Sequence, residues 1–145
     1  MIAVERSFAV ATQLPTVVGY LTDWGNSREW DPGTVTCTKI SDGPVGLGTE
    51  WRNALRLLHR TVIVDFRLEH LDDDRLVFSG RNRGATSTDT ITCTPRDGGG
   101  TSIHYDSVVH LHRLARLASP LLRREFERIG DELIGQMTAA LERQV

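Results

Sequence analysis

The sequence predicts an α+β fold: one antiparallel sheet of seven strands and a single long helix at the C-terminus. Three observations carry that class. Apolar and polar residues alternate over seven segments between residues 2 and 112, the period of half-buried strands. From residue 122 onward apolar residues recur instead every three or four positions, the period of a helix. The separators between strands are short, which favours antiparallel hairpins, because a parallel pair needs a crossover of a dozen or more residues.

Residues 2–11 form the first strand, with Ile2, Val4, Phe8 and Val10 on one parity and Glu5 and Ser7 on the other. Pro15 suits the first turn of a helix, where its missing N–H is harmless. That helix runs over 14–23 with Val17, Val18 and Leu21 on one side. A second short helix spans 26–30, capped by Asn26 or Ser27 and ended by Asp31, Pro32 and Gly33. Strands follow over 34–41, 49–58, 61–72, 75–82, 86–95 and 101–112, parted by turn-forming residues such as Asp42-Gly43-Pro44 and Asp97-Gly98-Gly99-Gly100. Ser119 and Pro120 then start a helix of 24 residues, Ser119 as cap and Pro120 at the first position. Its apolar stripe is Leu122, Phe126, Ile129, Leu133, Met137 and Leu141.

The parities give the sheet a wet face and a dry one. Trp51, Asn53, Leu55 and Leu57 oppose Glu50, Arg52 and Arg56. Val62, Val64, Phe66, Leu68 and His70 oppose Asp65, Arg67 and Glu69. Thr86, Thr88, Thr90, Thr92 and Thr94 make an all-threonine outer parity, leaving Ser87, Asp89, Ile91 and Cys93 inside. The final helix is the one large partner available to the dry face.

Composition fits this picture. A chain of 145 residues, 39% hydrophobic and 25% charged, suits one globular domain over residues 1–145 that needs no staples. A net charge of −2 argues against nucleic acid and anionic membranes as simple electrostatic partners. Lys39 is the only lysine among the 17 basic residues, a bias read as coding and not as a site. No apolar run is long enough to span a bilayer, and the N-terminus shows no secretory pattern. Cys37 and Cys93 lack CxxC spacing, so reduced, half-buried thiols in a cytoplasmic protein are expected.

Several landmarks point further. They are Pro15, the Trp30-Asp31-Pro32 corner, and the run Gly43-Pro44-Val45-Gly46-Leu47-Gly48-Thr49 leading into a strand. Gly99-Gly100-Thr101 before the last strand and the helix after Pro120 complete the set. In this order the chain resembles the START-related, birch-pollen-allergen-like superfamily. Within it the chain is similar to the bacterial polyketide cyclase/dehydrase and lipid-transport group. The resemblance covers nearly the whole chain and rests on the ordered set, since no single motif is specific. It implies a helix-grip fold: a strongly curved antiparallel sheet holding the C-terminal helix, with a cavity for apolar ligands between them.

Candidate site residues follow from parity and from that resemblance. Asn53, His70, Asp89 and Tyr105 are polar residues on the dry parity, and a binding pocket is apolar with a few placed polar groups. A buried carboxylate must be paired, or its pKa rises. Asp89 is thus a pocket group or the mark of a bulge that shifts the register, the bulge being preferred. His70 lies near a strand end and reads as partly exposed. The resemblance puts Tyr20, Trp24 and Trp30 at one rim of the cavity, while Trp51, Phe66, Phe78, Phe126 and Ile129 fall on dry faces. Tyr20, Trp30 and these five, with Asn53, Asp89 and Tyr105, form the expected ligand-contact set. His104, Asp106, His110 and His112 share the wet parity, so a metal site there is not expected. The segment Gly43 to Gly48 lacks the order of a phosphate loop and reads as a hairpin turn. Arg116, Arg123, Arg124 and Arg128 read as the wet side of the helix and not as a membrane patch.

The first functional expectation is a carrier or binding protein for one small hydrophobic or amphipathic molecule, acting without cofactor as a monomer or homodimer. The second is a cyclase or dehydratase in which Tyr105, Asn53 and either His70 or Asp89 position a keto group and move protons. The third is an interaction module with a vestigial cavity. No nucleophile–base pair is readable.

Overall fold

A computed structural model gives the fold of residues 1–144. The chain runs β1 (Ile2–Val10), α1 (Leu14–Thr22), a 3₁₀ turn (Trp24–Asn26), α2 (Ser27–Trp30), β2 (Thr34–Lys39) and β3 (Glu50–Leu57). It continues through β4 (Arg60–Leu71), β5 (Arg75–Arg81), β6 (Ala85–Pro95), β7 (Thr101–Leu111), a 3₁₀ helix (Arg113–Ala118) and α3 (Ser119–Glu142). The seven strands form one antiparallel sheet in the order β1-β7-β6-β5-β4-β3-β2. Hairpins join β2 through β7 in sequence, and β1 closes the other edge against β7. This is a helix-grip α+β fold.

Alternation places the core. Trp51, Phe66, Leu68, Leu76, Phe78, Ile91, Cys93 and Ile103 are buried on the inner face, against Leu133, Met137, Ala140 and Leu141 of α3. Each Leu, Ile, Met or Phe side chain among them contributes about 1.5–3 kcal/mol by leaving water. Tyr105 joins this core. The helix is tied to β1 and its following turn by polar contacts. Arg6 donates to Glu127 and Asp131 of α3, each 2.9 Å away. Glu142 Oε2 accepts the Ala11 N–H at 2.8 Å, and Thr12 Oγ1 donates to the Leu141 carbonyl at 2.8 Å.

Helix caps depart from expectation. Ser119 already has helical torsions, and Ala118 stands at the cap position with no side-chain bond. The preceding 3₁₀ helix explains this: its last turn runs into α3, and the Ser119 N–H bonds to the Arg116 carbonyl. Neither Asn26 nor Ser27 caps α2 through its side chain. Asp23 instead caps the preceding 3₁₀ turn: its Oδ1 accepts the Gly25 N–H at 2.9 Å and also the Trp51 indole N–H at 3.1 Å. One carboxylate therefore pins the α1–α2 corner onto β3.

A bulge does shift a register, on β4 and not on β6. Leu68 faces Phe78 while His70 faces Val77, which leaves Glu69 as the extra residue. His70 is thereby turned off the inner face, and its side chain, 41% exposed, meets Asp72. The pairing of β6 with both neighbours is unbroken, so Asp89 is an inward residue. Both cysteines are free, Cys37 half-buried and Cys93 fully buried. Burial pushes each thiol up to about 11. No helix among the described residues is long and apolar enough to cross a membrane.

Candidate functional site

Aromatic rings fill the inner face unevenly. Trp24 stacks on Phe66 and Phe78, with ring centroids 4.9 and 4.1 Å apart, and meets Trp30 edge-on at 5.3 Å. Trp51 meets Phe78 at 5.9 Å. These rings plug the half of the sheet under α1 and α2. Towards the turns that end β3, β5 and β7, inward positions carry small residues: Gly80, Gly84, Ala85 and Ser87, facing Gly130, Ala115 and Ala118. Small side chains on both layers leave a gap that no large one fills. The result is a cavity of about 500 Å³, within the usual range for small-molecule sites.

The wall is mostly aliphatic, with Ile2, Val4, Leu55, Val62, Val64, Val109, Leu122 and Leu133 among its residues. Of the expected ligand-contact set, Phe66, Asp89, Tyr105, Phe126 and Ile129 lie on the wall. Trp30, Trp51, Asn53 and Phe78 do not; they are fully buried within the aromatic plug. Tyr20 lies outside the wall too, its hydroxyl held by Glu29 on the surface. Burial and that carboxylate raise its pKa. Trp24, Asp31, Ser87 and Ser107 are wall residues absent from the expected set. The small inward residues Gly80 on β5 and Ser87 on β6 were the signal for Ser87, and Ser107 shares the inward parity of Tyr105; nothing in the strand pattern marked Trp24 or Asp31.

Polar chemistry gathers on neighbouring strands of the wall. Tyr105 donates its hydroxyl to Asp89 Oδ2 at 2.5 Å, and Ser107 donates to Oδ1 at 3.1 Å. Burial pushes the Asp89 carboxyl up to about 6, against those two hydrogen bonds, and nearby Asp31 and Asp106 raise it further. Burial and the adjacent Asp89 carboxylate push Tyr105 well above the ordinary phenol value. Asp31 is also raised by burial, while Gly33 N–H and Thr34 Oγ1 hydrogen-bond its carboxylate and offset this in part. Trp24 Nε1 and Ser87 Oγ, both on wall residues, have no hydrogen-bond partner among the described residues. A buried carboxyl and the phenol that donates to it thus share a wall with two polar groups that retain unused bonding capacity.

No cluster of three metal-ligating side chains exists among the described residues. His104 lies instead against Ser7, with Nδ1 2.6 Å from its hydroxyl. The Gly43–Gly48 segment lies off the wall, and Gly43 and Gly48 have φ of +88° and +87°, left-handed turn conformations open to glycine.

An antiparallel sheet closed on one long helix around an apolar cavity defines a helix-grip protein. The chain belongs to the polyketide cyclase / dehydrase and lipid transport family, whose model matches residues 1–142. Similar solved structures include an aromatase/cyclase, Zhui from Streptomyces sp. R1128, at 14% identity and TM-score 0.83, covering 97% of this chain and 93% of that one. A START superfamily protein from Mycobacterium smegmatis matches at 12% identity and TM-score 0.80, over 97% of each chain. Ara h 8.0201 matches at 11% identity and TM-score 0.70, over 98% of each. At these identities the likeness is one of fold. No curated protein matches the sequence.

Proposed function

We propose that this protein binds one small hydrophobic or amphipathic molecule in the cavity between the sheet and α3. The observation that carries this reading is a largely aliphatic cavity of about 500 Å³ with one cluster of polar groups on its wall. An apolar body would occupy the aliphatic wall. An oxygen on the ligand would meet Tyr105, Ser107 and the unpartnered Ser87 hydroxyl. The Phe66, Asp89, Tyr105, Phe126 and Ile129 side chains are the proposed contacts.

The test is titration with an apolar fluorophore, joined to native mass spectrometry of the purified protein. One molecule should bind per chain. Ala118→Trp, which places a large ring at the wall, should weaken binding about tenfold or more, roughly 1.4 kcal/mol. Absence of binding, or equal binding by the plugged variant, refutes the reading.

The Asp89–Tyr105 pair favours a second reading, proton transfer to an enclosed substrate of the cyclase or dehydratase type. A carboxyl near 6 exchanges protons readily at neutral pH. In that case Tyr105→Phe abolishes turnover of a polyketide-like substrate while fluorophore binding persists. Turnover unaffected by this change eliminates Tyr105 as the acid.

A further inference from the structure

The cavity mouth carries a surface that ligand enclosure does not require. Leu114 and Leu117 are each 81% exposed and Leu121 is 58% exposed. A 3₁₀ helix has three residues per turn, so Leu114 and Leu117 stand on the same side, with Leu121 about a turn further on. The residues one position later, Ala115, Ala118 and Leu122, line the cavity. The leucine ridge is therefore the outer lip of the opening.

Charge around this lip has one sign. The segments 54–64, 81–88 and 107–124 contain no Asp or Glu, although the chain as a whole has a net charge of −2. They converge at one end of the sheet: the His112 N–H donates to the Gly84 carbonyl at 2.7 Å, and the Leu58 N–H to Glu125 at 2.7 Å. Arg60, Arg83, Arg113, Arg116, Arg123 and Arg124 are all exposed there. None of the six is in an ion pair among the described residues, whereas Arg6, Arg52, Arg67 and Arg128 are. The acid at this end, Glu125, is committed to Arg128 and to the Leu58 N–H.

We infer that this lip docks on an anionic lipid surface, leucines entering the headgroup boundary and arginines meeting lipid phosphates. Apolar side chains flanked by uncompensated arginines match an anionic interface in both layers. A bilayer accepts protruding leucines without a matching pocket, and an apolar ligand partitions into one. Of the arginine run in the sequence, Arg128 stays with the helix surface, while Arg116, Arg123 and Arg124 belong to this patch.

The experiment is co-sedimentation of the full chain with phosphatidylcholine vesicles, with and without roughly 30% phosphatidylglycerol. Binding should require the anionic lipid and should fall about tenfold or more at about 0.5 M salt. Leu114→Glu with Leu117→Glu should reduce binding about tenfold or more. Arg113→Gln with Arg116→Gln should reduce it severalfold. Both positions are exposed, so an unchanged thermal melt and unchanged fluorophore titration should accompany the loss. Failure of the parent to sediment overturns the inference, as does indifference to the anionic lipid or parent-like binding by the leucine variant. Capture by polyglutamate while vesicles stay inert overturns it in favour of an acidic protein partner.

Discussion

Asp89→Asn should make the protein more stable at neutral pH. The carboxyl is buried at the cavity wall, with Tyr105 and Ser107 as its donors and Asp31 and Asp106 as repelling neighbours. Its pKa stands at about 6 in the fold against 3.8 ordinarily. Below about pH 4 both folded and unfolded chains carry the protonated acid, and the site adds nothing. Between the two values the unfolded chain ionises first, so stability falls as pH rises. Above about pH 6 the full cost is present, roughly 3 kcal/mol at about 1.36 kcal/mol per pKa unit. Asparagine keeps an oxygen for the Tyr105 hydroxyl and offers an N–H to Ser107, so both neighbouring hydroxyls keep a partner. Urea unfolding from about pH 4 to about pH 8 measures the difference. The variant should match the parent at the acid end and exceed it by about 3 kcal/mol at the alkaline end. Parallel pH profiles, or a less stable variant at about pH 8, would show that burial does not govern this carboxyl.

Three further outcomes follow from the same geometry. Gly80→Ala sets a Cβ 2.6 Å from both Phe66 Cε1 and Ser87 Oγ; urea melts should show a loss of about 1–3 kcal/mol, with fluorophore binding weakened as Phe66 yields into the cavity. Trp51→Phe removes the 3.1 Å bond to Asp23 and leaves space in the aromatic plug; a loss of about 2 kcal/mol in the same assay is expected, and a neutral result would mean that Asp23 does not pin the corner. Ser119→Ala should change stability by less than about 0.5 kcal/mol, because Ser119 lies inside the helix and caps nothing; a loss of about 1 kcal/mol would restore it as a cap.

Element type and inner parity were legible because alternation survives wherever one face is dry. The strands and α3 lie within a few residues of their expected bounds for that reason. Depth along a strand was not legible. Trp51, Asn53 and Phe78 share inner parity with cavity residues, yet they pack into the plug, since parity assigns a face and not a position across it. Tyr20 and Trp30 were placed by likeness of fold, and the local side-chain sizes of this chain put them elsewhere. The bulge at Glu69 is a two-against-one pairing that depends on β5 as well as β4, so parity alone put His70 on the dry face, while its place near the strand end gave the partial exposure it has. Asp89 shows the converse: its unfavourable burial suggested an irregular strand, and the strand is regular because Tyr105 and Ser107 on the next strand hydrogen-bond it.

The strand order has a consequence during synthesis. β1 is made first, but its partner β7 is made last, with Ile2 paired to Val109 at a separation of 107 residues. At about 5–20 residues per second, β1 waits roughly 5–20 s beside the ribosome without a strand to bond to. The helix it anchors through Arg6 emerges later still. The other five strand pairs are local hairpins and are free to zip in order. Until β7 and α3 arrive, a nascent chain therefore exposes the open edge of β6, the apolar inner face of the sheet and an unpaired β1, the interval in which a chaperone would be most useful to it.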